Sequence, residues 1–144
     1  MNIEETLTRE AIRYTMSVYT TAGDRGQMDE MMTAFAEDGA LELEGIVSQG
    51  RDAIKERLMS GVTERRGRFE AGQKVFLRHN LSTSRIELRS PTEADARTYF
   101  FVITEAGLIS SGLYTDQFIK VGDRWLIKHR RVRSDATWAG QPSG

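Results

Sequence analysis

Residues 74–134 read KVFLRHNLSTSRIELRSPTEADARTYFFVITEAGLISSGLYTDQFIKVGDRWLIKHRRVRS, and this stretch decides the fold. Lys74 to Ser90, Asp95 to Glu105, Leu108 to Val121 and Arg124 to Ser134 are four long strand candidates. They are rich in Val, Ile, Thr, Tyr and Phe, the residue types that fit a pleated, half-buried surface. Pro91-Thr-Glu-Ala, Ala106-Gly107 and Gly122-Asp123 separate them with turn chemistry. Long strands joined by tight turns imply a strongly curved antiparallel meander.

Upstream of this stretch the period changes. From Thr6 to Ala22, Ile12, Met16 and Tyr19 recur at helical spacing, and Gly23 is expected to stop that helix. A second helix is expected from Gln27, with Met28, Met31, Met32 and Phe35 on its apolar face. Glu37-Asp38-Gly39 reads as a turn. Ala40 to Glu44 then alternates as a half-exposed strand, and Ile46 to Gln49 reads as a short return strand. A third helix is expected from Asp52 to Val62, followed by a basic loop, Arg65-Arg66-Gly67-Arg68. The expected architecture is α+β: a cone-shaped, curved antiparallel sheet wrapped around the N-terminal helices. One domain is expected over 1–135, with a flexible tail over 136–144 in which Trp138 docks or stays loose.

The chain has 144 residues, 20 basic and 21 acidic, with a formal net charge of −1. That balance gives no reason to expect nucleic acid or an anionic membrane as partner. No cysteine means no disulfide, thiol nucleophile or thiolate-bound zinc. The first residues carry neither a basic segment nor an apolar core of a signal peptide, and a cytoplasmic location is expected. There is no Gly-rich phosphate loop, no Gly-x-Ser-x-Gly elbow and no His-x-x-x-His pair, and neither a metal nor another cofactor is expected.

With two histidines in the chain, few side chains can move protons near neutral pH. Asp24 and His79 are the candidates. Asp24-Arg-Gly-Gln27 also fits a capping box for the second helix. His79 shares a strand face with Leu77 and Leu81, and an inward histidine needs a hydrogen-bond acceptor. If Asp24 accepts from His79, the carboxylate fixes the imidazole tautomer and raises its basicity, which makes a general base without a metal. Near the chain's end, Trp125, Ile127 and His129 alternate together, so His129 competes with Arg130 for the inward position. A bulge in a twisted final strand would turn an arginine inward. Leu41, Leu58, Leu77, Phe100 and Val102 are expected to fill the cone and shape its pocket.

Six segments carry a resemblance: Tyr19-Thr-Thr-Ala-Gly-Asp24, Phe35-Ala-Glu-Asp38-Gly-Ala, Gly50-Arg-Asp-Ala-Ile, Arg78-His79-Asn-Leu, Gly112-Leu-Tyr114-Thr-Asp116-Gln-Phe and Trp125-Leu-Ile-Lys-His-Arg130. Over residues 6 to 135 the chain resembles a SnoaL-like domain of the nuclear transport factor 2-like superfamily. The Asp24 and His79 pair resembles the branch of scytalone dehydratase, bile-acid dehydratase and hexachlorocyclohexane dehydrochlorinase, cofactor-free lyases acting on compact hydrophobic rings. Tyr19 matches a tyrosine of the bile-acid enzyme. The dehydrochlorinase has a lysine there, which argues against dehydrochlorination. Arg130 and Tyr114 match an active-site arginine and a pocket-wall aromatic of that enzyme. The resemblance therefore implies a lyase or isomerase with Asp24, His79, Tyr19 and Arg130 as catalytic residues and Tyr114 in the pocket. The substrate would be a small hydrophobic cyclic compound, and the protein a homodimer or homotrimer. The same fold also implies two alternatives: a non-catalytic ligand-binding or assembly subunit, like the β subunit of ring-hydroxylating dioxygenases, and a polyketide cyclase.

Overall fold

A computed structural model describes residues 1–66 and 76–137. The order is α1 (Ile3–Asp24), α2 (Met28–Met32), β1 (Phe35–Leu43), β2 (Ile46–Gln49), α3 (Arg51–Arg66), β3 (Leu77–Leu88), β4 (Glu93–Thr104), β5 (Gly107–Val121) and β6 (Arg124–Thr137). The strands form one sheet in the order β2-β1-β6-β5-β4-β3. The α+β class and the curved sheet over N-terminal helices are as the sequence implies. One pairing is not: β1 runs parallel to β6, and every other pairing is antiparallel. Among the described residues, no helix is long and apolar enough to cross a membrane.

Helix α1 begins earlier than its apolar face suggests. Asn2 caps it and exchanges hydrogen bonds with Glu5, a full capping box. Its buried residues, Ile12, Thr15, Met16, Tyr19 and Ala22, lie on one stripe. Arg9 Nε donates to the Ile86 carbonyl of β3 at 3.2 Å, and Thr15 Oγ1 donates to the Trp125 carbonyl of β6. These two bonds fix the helix across the concave face. Gly23 does not end the helix. It stays helical, and a Cβ there would lie 2.9 Å from Met31 Cε, so its smallness lets α2 close on α1.

The second helix is shorter than expected. It stops at Met32, and Phe35 already belongs to β1. Glu37-Asp38-Gly39 is not a turn between elements but an irregularity within that strand, where the register against β6 slips between Phe35 and Ala40. Helix α3 continues through Arg66, so Arg65 and Arg66 are helical rather than loop, while Gly67 and Arg68 lie outside the described residues. At the other end, Ala136 and Thr137 pair with Ser111 and Ser110 and extend β6. The expected tail thus begins two residues too early, and Trp138 with the rest of it lies outside the described residues.

Across β4 and β5, large and small inward residues complement one another. Ala94, Ala96 and Thr98 stand opposite Phe118, Asp116 and Tyr114, and then the order reverses, with Phe100 opposite Gly112. The small row on β4 leaves room for α1, whose Met16 sulfur touches Thr98 and Ser84. Gly112 lets the Phe100 ring lie flat on the strand. A Cβ there would sit 2.6 Å from Phe100 Cζ and would also strike the Arg133 carbonyl. Gly112→Ala is therefore expected to destabilise the fold by about 3 kcal/mol, the upper end of typical overpacking costs. Urea unfolding of the two proteins measures this, and an unchanged midpoint would refute the close approach.

Candidate active site

Asp24 is the last residue of α1, and His79 is the third residue of β3. The Asp24 carboxylate receives two hydrogen bonds from that single residue. The His79 backbone N–H donates to Oδ2 at 2.9 Å, and ring Nδ1 lies 2.7 Å from Oδ1. With Asp24 ionised, Nδ1 is the donor, and the proton of the neutral ring is held there. Nε2 is left with its lone pair, and no described residue bonds to it. The capping alternative for Asp24 fails, because α2 is preceded by Gln27 and has no side-chain cap.

Helix stability does not explain the carboxylate's position. An acidic group at a helix C-terminus meets the negative end of the helix dipole, and α1 has no basic residue in its last turn. The Asp24 side chain is nearly buried and that of His79 is about one-fifth exposed, so the pair sits at a cavity wall with the histidine nearer the opening.

The cavity has a volume of ≈ 350 Å³. Asp24, His79, Tyr19 and Tyr114 line one part of it together with Phe100 and Thr20. Leu58, Leu77, Leu43, Val62 and Val132 make apolar walls with Met28 and Met31, and Glu44, Arg57, Glu64, Gly23 and Gly61 complete the lining. Of the residues expected in the pocket, Leu58, Leu77, Phe100 and Tyr114 are there. Leu41 and Val102 are not. Both are fully buried in the core behind the wall, and Leu43 lines the cavity instead of Leu41, two positions along the same face of β1.

Arg130 does not line the cavity either. It points inward, as the resemblance implied, because Gln117 pairs with His129 while Phe118 pairs with Ile127, leaving Lys128 as an extra residue in β6. That bulge reverses the alternation after Ile127, so Arg130 rather than His129 faces the interior. Its guanidinium has no exposure and is held by Asp116 directly across the strand pair, Nε to Oδ1 at 2.7 Å and Nη2 to Oδ2 at 2.8 Å. Burial lowers its pKa, but the Asp116 charge and hydrogen bonds more than offset this, and the group stays charged. The resemblance implied Arg130 as a catalytic residue, but a side chain without exposure and outside the lining does not reach the cavity directly.

Arg130 reaches the site through aromatic rings. Its Cζ lies 4.3 Å from the Tyr19 ring centroid and 4.0 Å from that of Tyr114. Phe100 stacks on Tyr114 with centroids 4.4 Å apart, and His79 lies 6.2 Å from Phe100. Burial raises the phenol pKa of Tyr19 above its ordinary value, although Arg130 pulls the other way. Burial raises that of Tyr114 further, and there the neighbouring Tyr19 adds to the shift. Both phenols are therefore protonated at neutral pH and able to donate. Sequence reasoning missed Thr20, Leu43, Arg57 and Val132. Leu43 and Val132 carried a usable signal, since each follows by two a residue read as inward or near the site. Arg57 carried none, because a charged residue on a helix reads as a solvated face. Among the described residues no cluster of three His, Cys, Asp or Glu side chains is arranged to hold a metal ion.

Comparison with known proteins agrees with this architecture. No curated protein matches the chain. Among solved structures, a variant of Rv3472, a protein of unknown function from Mycobacterium tuberculosis, is 27% identical with a TM-score of 0.78, over 98% of this chain and 79% of that one. A protein designated a candidate scytalone dehydratase from Novosphingobium aromaticivorans DSM 12444 is 25% identical with a TM-score of 0.80, over 100% of this chain and 95% of that one. LinA, at 18% identity and a TM-score of 0.77 over 99% of this chain and 97% of that one, shares the fold. Residues 4–131 match the model of the SnoaL-like domain, and the chain belongs to that family.

Proposed function

We propose that this protein is a cofactor-free lyase of dehydratase type, or an isomerase, acting on a small hydrophobic cyclic compound. The observation that carries the reading is the Asp24–His79 pair at 2.7 Å, with Nε2 bonded to none of the described residues beside a cavity. His79 Nε2 takes a proton from carbon next to a carbonyl. The C–H electron pair becomes an enolate, and Asp24 stabilises the imidazolium that forms. In a dehydration, the enolate re-forms the carbonyl as a carbon–oxygen bond at the β position breaks. The departing hydroxyl takes the proton from the His79 imidazolium and leaves as water, which restores the neutral base. Tyr19 donates a hydrogen bond to the developing oxyanion, and Tyr114 supports it. Arg130 acts as a positioning residue, holding both rings from behind. An open cavity of ≈ 350 Å³ favours this reading over a filled, non-catalytic subunit.

The reading extends to a homo-oligomer. Tyr99 and Phe101 alternate on the outer face of β4 and are exposed, where a second copy would cover them. Light scattering of the purified protein tests this, and a monomer at micromolar concentration would end it.

Deuterium exchange and water loss from a panel of cyclic β-hydroxyketones, followed by NMR, test the chemistry. Asp24→Asn and His79→Ala should each lower turnover by roughly 10²–10⁴-fold, and the double variant should be little worse than either. Full activity in His79→Ala, or strictly additive losses, would sink the dyad. A second check follows from the phenols. The unfolded chain releases its tyrosine protons near the ordinary value of 10.0, before the folded protein does. Stability present below that pH is therefore lost as pH rises through the raised folded values. Tyr19→Phe and Tyr114→Phe should each remove a late-titrating phenol from the ultraviolet titration and soften the alkaline loss of stability.

A further inference from the structure

Arg57 is the one cation lining the cavity among the described residues, and the dyad does not use it. It projects from α3, the helix that also supplies Leu58 and Val62 to the apolar wall. Its side chain is about 30% exposed, so most of it is covered. Its recorded ion-pair partner is Glu44, 3.9 Å away, in the turn between β1 and β2, with a side chain 79% exposed. At that distance no hydrogen bond forms, and an exposed pair of this kind is weak. The guanidinium fork is therefore open to a better acceptor.

The polar groups of the lining differ in exposure. Tyr19, Tyr114 and the Asp24 side chain are buried, whereas Arg57, Glu44 and Glu64 are more exposed and form the rim group. We propose that the rim holds an anion subsite in which Arg57 binds a carboxylate substituent of the substrate in place of Glu44. This rests on the reading of the cavity as a site for a hydrophobic cyclic compound. It narrows that class to cyclic carboxylic acids, whose ring lies against Leu58 and Val132 and whose reacting carbon faces His79. Glu44 is the resident anion that the ligand displaces. It sets a competition that a neutral ligand does not enter.

A matched pair of probes, 2-naphthoate and 2-naphthamide, tests this by titration calorimetry. They share a ring system and differ in charge. The carboxylate should bind the wild-type protein roughly tenfold or more tightly than the amide, the factor expected for a hydrogen bond to a charged group. Arg57→Gln should erase that preference, with the larger loss falling on the carboxylate. Arg57→Lys, which keeps the charge but loses the fork, should retain part of it, and Glu44→Gln should widen it. Thermal unfolding of each variant establishes that it is folded. Equal affinities in the wild type, a preference that survives Arg57→Gln, or a wild type that binds neither probe would overturn the proposal. The readout is an equilibrium affinity, so an inert dyad would leave it standing, and an active dyad would not rescue it.

Discussion

The interior is organised around a charge that has no exposure to water. Arg130 and Asp116 meet across β5 and β6 through two hydrogen bonds of 2.7 and 2.8 Å. Desolvating either ion alone would cost several kcal/mol, so each is tolerable inside only because the other is there. Once placed, the guanidinium sets the aromatic core. Tyr19 comes from α1 and Tyr114 from β5, and both rings lie against the same cation. Helix and sheet are therefore joined by more than apolar packing. From Arg130 the contacts run through Tyr114 to Phe100 and on to His79. A buried ion pair that contributes little net stability still fixes the orientation of the groups around it.

The two interior carboxylates do different work. Asp116 is spent on a permanent cation. Asp24 is spent on a residue that can gain and lose a proton, and it binds that residue by both backbone and ring. The double bond leaves His79 little freedom to rotate, so Nε2 has a fixed direction. Asp24 also stands where the helix dipole disfavours it, a locally uncompensated position that supports the proposed role.

The four long strands were legible because alternation and turn residues mark them, and β5 and β6 begin within one residue of the positions read from sequence, whereas β3 ends at Leu88 and β4 takes Glu93 and Ala94 from the expected turn. Helix and strand identity around residue 35 was not. Met28, Met31, Met32 and Phe35 keep helical spacing, but Phe35 is taken by pairing with Ile127, a parallel contact about ninety residues away in sequence that no local pattern encodes. Bulges hide information in the same way. A strict period of two places His129 inward with Trp125 and Ile127, and one extra residue at Lys128 hands that place to Arg130. Asp24 and His79 could be named because acid–base residues are few in this chain. Leu41 and Val102 could not be separated from Leu43 and Val132, because alternation tells which face a residue is on and not how deep along the cone it lies.

The two phenols near the dyad are not equivalent, and the difference assigns their roles within the proposed chemistry. Burial acts on both. Arg130 pulls both phenols the other way, by charge and by hydrogen bonding at Tyr19 and by charge at Tyr114, where the neighbouring phenol adds to burial. The Tyr114 ring is stacked on Phe100 and also lies against Arg130, so the proposed chemistry takes Tyr19 as the donor and Tyr114 as the ring that keeps water out. Arg130, although it does not line the cavity, acts on both rings from behind: a fixed buried charge tunes the donor without competing with the substrate for it.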